Sequence, residues 1–72
     1  MEGKALEKLE KRIGKKIAMH RQKRKLTSEQ LAYQFGISKG YLSDIENGKR
    51  LPSLQMLEKI AQALKVDIRE LF

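Results

Sequence analysis

The chain has 72 residues, no cysteine, one histidine and a formal net charge of +7. That length suits one domain with a thin core, since a chain of this size buries only about 60% of the surface its unfolded form exposes. Without cysteine there is no disulfide staple and no thiolate metal site, and no apolar run approaches the roughly 18 residues of a membrane span.

The charge is unevenly placed. Residues 1–25 hold ten basic side chains against three acidic ones, whereas residues 26–72 hold six of each. A basic first segment suits a polyanion; a solvated lysine-rich helix is the plainer explanation. The charged first residues lack the apolar stretch of a signal peptide, so a cytoplasmic protein is expected. Residues 4–24 read as one helix, because Leu6, Leu9, Ile13 and Ile17 recur every three or four positions. Ile13, Ile17 and His20 are expected toward the core. Leu6 and Leu9 are expected beyond it, as a dimer contact or a frayed end. Glu7 and Lys11 are spaced for an i,i+4 ion pair worth ~0.2–0.5 kcal/mol. Gly14 costs about 1 kcal/mol against alanine, and would mark where an N-terminal extension meets the domain proper. The basic run Arg21–Lys25 suits a helix C-terminus.

Next comes TSEQLAYQFGISKGYLSDIENGKR, residues 27–50. Thr27 and Gln30 have the capping-box spacing. Leu31, Ala32 and Phe35 give the helix an apolar side. Gly36 suits a left-handed stop. Ser38 can cap a second helix, with Leu42 and Ile45 as its buried side, and Asn47-Gly48 ends it. Two short helices across the turn Gly36-Ile37-Ser38, with small Ala32 at their crossing, make a helix-turn-helix of about residues 28–47. The second of them is the helix that enters a DNA major groove in such units.

Pro52 makes a loop of the following residues. Ser53 can cap a fourth helix, Leu54–Leu64, whose apolar side is Leu54, Leu57, Ile60, Ala61 and Leu64. Asp67 and Glu70 have capping-box spacing for a last short helix, where Val66, Ile68, Leu71 and Phe72 divide between core and partner contact. The expectation is an all-α, compact five-helix domain spanning 1–72, with an extended basic first helix. Connections of two to four residues would join its helices.

These residues carry a resemblance. Leu26-Thr27, Leu31-Ala32, Phe35-Gly36-Ile37-Ser38, Tyr41 through Arg50, Pro52-Ser53, Leu57, Ile60-Ala61 and Leu64 together resemble the lambda-repressor-like helix-turn-helix domain of the Cro/C1 or XRE type. The likeness runs from Ile17 to Phe72. It implies a homodimer on a two-fold symmetric operator in double-stranded DNA, and transcriptional control, as a repressor, in a bacterium, archaeon or phage. It also implies base contacts from Lys39, Gly40, Ser43 and Asp44, and backbone contacts from Ser28, Tyr41, Asn47, Lys49 and Arg50. Arg21 and Glu46 would form a structural ion pair. Two positions depart from the family pattern: Ser28 stands where many members have glutamine, and Gly40 where a longer side chain is common.

Within that frame Lys39 can donate to guanine O6 or N7, or to a phosphate. Asp44 can accept from cytosine N4, or orient Lys39 or a nearby basic residue. Tyr41 meets a sugar, a thymine methyl or a phosphate, or packs partly into the core. An enzyme is not expected, because the carboxylates form no paired constellation. His20 has no second ligand nearby, so no metal is expected; no pocket is evident in the sequence, so no cofactor or small-molecule ligand is expected either. The rival is a protein-binding module, an antitoxin or antirepressor using the apolar end Ile68–Phe72.

Overall fold

A computed structural model describes the backbone of residues 2–72 and the side chains of residues 5 and 7–72. Leu6 therefore lies outside the described side chains. Four helices, α1 (Glu2–Lys23), α2 (Ser28–Gln34), α3 (Lys39–Glu46) and α4 (Leu54–Leu64), precede a 3₁₀ turn at Ile68–Leu71. The described residues contain no strand.

Each helix starts or stops on a definable device. The Thr27 hydroxyl accepts from Gln30 N at 3.1 Å while the Gln30 side chain accepts from Thr27 N at 2.8 Å. Ser38 caps α3 by accepting from Tyr41 N, and Ser53 caps α4 by accepting from Met56 N. All four C-termini close in the same way. Leu26 N donates to Arg21 O, Ile37 N to Ala32 O, Lys49 N to Asp44 O and Val66 N to Ala61 O, each beside a second, i→i+3 bond from the residue before it. That is the Schellman arrangement, which needs a left-handed residue just past the helix. Gly36 and Gly48 supply it at φ +71° and +75°, and Lys25 and Lys65 at φ +57°.

The core is Ile13 and Ile17 of α1, Leu31 and Ala32 of α2, Leu42 and Ile45 of α3, Leu57, Ile60, Ala61 and Leu64 of α4, and Leu71. Several expectations need correction. Leu54 is not on the buried side of α4; it is 68% exposed. It holds the first helical position, a turn short of the core that Leu57 reaches. The fifth helix is a single 3₁₀ turn, closed by i→i+3 bonds from Glu70 N to Asp67 O and Phe72 N to Arg69 O. Hydrogen bonds from Arg69, first its side chain and then its backbone N–H, hold the Asp67 carboxyl below its ordinary value. The α3–α4 connection spans residues 47–53, longer than expected, with Pro52 buried in it. Glu7 and Lys11 are not among the ion pairs of the described residues. His20 is only half-buried.

Gly14 is not a boundary either. Helix α1 runs through it unbroken, and α3 ends against it. A Cβ at Gly14 would run into the backbone carbonyl oxygen of Ile45 and sit 2.6 Å from that of Glu46. Both obstacles are main chain and cannot rotate away. Glycine is therefore what lets the two helices touch, and that contact outweighs its helix-propensity cost. Gly14→Ala should destabilise the fold by about 1–3 kcal/mol, the usual cost of overpacking. Thermal melting checks this: a fall of several degrees is expected, and a rise, as alanine's helix propensity alone would give, contradicts it.

Candidate nucleic-acid interface

The placement of α3 begins with Arg21, in the last turn of α1. Its Nε donates to Glu46 Oε2 at 2.8 Å and its Nη2 to Glu46 Oε1 at 3.1 Å. The remaining Nη1 donates to the Leu26 carbonyl at 2.8 Å. Both side chains are largely shielded, at 15% and 10% exposure. Arg21 also accepts the Leu26 N–H through its own carbonyl. One residue thus grips the end of α1, the entry to α2 and the last residue of α3. The planar fork makes this possible, since a carboxylate matches it bidentately.

Held in this way, α3 turns Leu42 and Ile45 inward and leaves its other side free. Lys39 and Gly40 are exposed, Tyr41, Ser43 and Asp44 half-buried, and Asn47, Lys49 and Arg50 exposed in the connection that follows. A Cβ at Gly40 would meet only Ser38 Oγ, at 4.0 Å. Packing therefore does not demand glycine there. Ser28 is the first residue of α2, next to the Thr27 cap, and half-buried.

The charged side chains sort into weak local pairs. Lys39 Nζ lies 3.4 Å from Glu29 Oε1, not on Asp44, with both side chains more than half exposed. Arg50 Nε lies 3.7 Å from Asp44 Oδ2. The same guanidinium stands over the Tyr41 ring, 5.3 Å from its centroid. Asn47 Nδ2 donates to Ser43 Oγ at 3.2 Å. So Tyr41, Asp44 and Arg50 form one cluster, Ser43 and Asn47 a second, and Lys39 pairs across to α2. Exposed pairs of this kind are worth about 0–1 kcal/mol, so a polyanion can displace them at little cost. Glu29 was not singled out from sequence; no spacing rule links residues ten apart on different helices. Gly14 was visible as a helix-interior glycine in line with Ile17 and Arg21, a signal of close approach rather than of a boundary.

The Helix-turn-helix family model matches residues 17–71, the part of the chain that contains this arrangement. The chain belongs to the lambda-repressor-like helix-turn-helix family of the Cro/C1, or XRE, type. It is 43% identical over 61 residues to the HTH-type transcriptional regulator SlrR of Bacillus subtilis, covering 83% of this chain and 40% of SlrR. It is 43% identical over 56 residues to the immunity repressor protein of Bacillus phage phi105, covering 78% of this chain and 39% of the repressor. The chain thus spans about two-fifths of the length of those two relatives. The crystal structure of the restriction-modification controller protein C.AhdI from Aeromonas hydrophila superposes with a TM-score of 0.83 at 35% identity, covering 90% of this chain and 97% of that one. This is a family of DNA-binding transcription regulators, and α2 and α3 both lie within the matched segment. Among the described residues, no helix is long and apolar enough to cross a membrane.

A double-mutant cycle measures the lock directly. Exposed ion pairs couple by about 0–1 kcal/mol, and breaking buried ones costs about 3–5 kcal/mol. Arg21→Ala and Glu46→Ala should couple by an intermediate amount, about 1–3 kcal/mol. Additive effects in urea denaturation would mean the two residues do not support each other.

Proposed function

We propose that this chain is a sequence-specific double-stranded DNA-binding repressor, cytoplasmic, acting as a homodimer on a two-fold symmetric operator. The observation that carries this is the free leading turn of α3, where exposed Lys39 and Gly40 project from a helix fixed at its far end by Arg21. Lys39 leaves Glu29 to reach a guanine edge. Gly40 admits the backbone close to the groove, and Ser43 follows one turn on. Asp44 serves mainly to orient Arg50, which is supported by their ion pair and by the Tyr41 ring beneath.

Backbone contacts fall to Ser28, Tyr41, Asn47, Lys49 and Arg50. Phosphate contacts set affinity and register, and base edges set sequence. For the second subunit, exposed Phe72, with half-buried Ile68 and Val66, offers an apolar patch at one end of the domain. The same patch would serve a protein partner if the chain were an antitoxin or antirepressor, and DNA binding separates the two.

Selection from a random duplex library should return a palindrome whose half-sites lie ~34 Å, about 10–10.5 base pairs, apart. Lys39→Ala should relax preference at one position per half-site by ~1–3 kcal/mol. Lys49→Gln should instead weaken all sequences alike and lower the slope of log K against log salt by ~0.9 per subunit, ~1.8 for the dimer. No enrichment, or enrichment of a single asymmetric site, contradicts the proposal.

A further inference from the structure

Helix α1 starts at Glu2, well before residue 17, where the family match begins. In that upstream part Lys8, Lys11 and Lys15 fall at i, i+3 and i+7, hence on one side of the helix. All three are exposed, while Ile13 and Ile17 turn the other side into the core. None of the three lysines is in an ion pair of the described residues.

The stripe adjoins the recognition helix. A Cβ on Gly48 would come 2.7 Å from Lys11 Cγ, so α1 lies directly on the start of the connection that carries Lys49 and Arg50. Lys11 and Lys15 line a shallow cavity of about 260 Å³ with Glu46 and Asn47. The one carboxylate in that cavity, Glu46, is already held by Arg21. The lysine ammonium groups therefore continue the positive surface of residues 47–50 without a counter-charge of their own.

We propose that Lys8, Lys11 and Lys15 form a second phosphate-binding track, extending the DNA backbone contact from residues 47–50 along α1. This rests on the DNA-binding function proposed above and adds a surface that the matched family segment does not contain. From Lys8 to Lys15 the helix rises about 10 Å, the axial length of about three phosphates on one strand. Lysine suits the task as a mobile point charge that needs no fixed geometry. A lipid surface fits less well, because the large apolar side chains described in this part of α1, Leu9 and Ile13, pack on the core.

The test compares the wild type with Lys8→Gln/Lys11→Gln/Lys15→Gln and with a charge-matched control, Lys23→Gln/Lys59→Gln/Lys65→Gln. The probe is the duplex recovered by selection with the wild type, titrated by fluorescence anisotropy between about 50 and 200 mM salt. The triple variant should lower the slope of log K against log salt by about 0.9 for each lysine lost in each subunit, with sequence preference unchanged. The control should leave the slope as it is. Lys8→Gln alone, outside the core, should show one lysine's share even if the triple variant folds poorly. An unchanged slope in the stripe variants, or an equal fall in the control, overturns the track while leaving the recognition helix intact. Failure of the wild type to select any duplex removes both together. Wild-type binding to anionic phospholipid vesicles that the triple variant loses, with the DNA slope unchanged, would assign the stripe to a membrane surface instead.

Discussion

The fold depends on how α1 is fastened to the last residue of α3. Two contacts do this at neighbouring places. At Gly14 the two backbones touch, with no side chain between them. Two turns along α1, Arg21 holds the Glu46 carboxylate with two hydrogen bonds and spends its third on the Leu26 carbonyl. The first contact sets the distance between the helices. The second sets their rotation, because a planar fork accepts a carboxylate in few orientations. A thin core alone would not fix either quantity so firmly, since hydrophobic contact is non-directional. Fixing α3 at its C-terminal end leaves its N-terminal end free, which is the geometry that reading a groove requires.

Along the outer side of α3 and the connection after it the polar groups are provisional. Lys39 rests on Glu29, Arg50 on Asp44 and Tyr41, and Asn47 on Ser43. Each partner restrains a long side chain without binding it tightly. The arrangement limits the rotamers to be frozen when a ligand arrives, and ordering such side chains costs about 0.5–1.5 kcal/mol each. It also keeps the carboxylates of Glu29 and Asp44 beside Lys39 and Arg50.

Most of the fold was legible in the sequence. Thr27 with Gln30, Ser38 and Ser53 state where helices begin, because a capping hydroxyl acts within three residues. Gly36 and Gly48 state where two of them stop. The other two stops were read to within a residue, at 24 and 64, but their left-handed closure at Lys25 and Lys65 was hidden, since lysine in that conformation leaves no compositional mark; the bonds from Leu26 and Val66 accompany it. Leu54 fitted the helical period and yet faces outward, because periodicity gives the side of a helix but not how far along it the core reaches. The positions of the candidate site were readable only as what the family resemblance implies. Its pairings, Lys39 with Glu29 and Arg50 with Asp44 and Tyr41, were not, because they join residues on different elements and depend on the crossing at Gly14. The likeness itself begins at Ile17, which left residues 2–16 of α1 to be read from charge and spacing alone.

The central claim is that the surface from Lys39 to Arg50, and not the apolar end at Phe72, meets DNA. Titrating nitrogen-15-labelled protein with its selected duplex and following backbone amide shifts tests this most directly. The account predicts the largest changes at Lys39–Asp44 and Asn47–Arg50, with α4 near Lys59 and Gln62 undisturbed. Changes confined to Ile68–Phe72 and the exposed side of α4, with α3 silent, would contradict it.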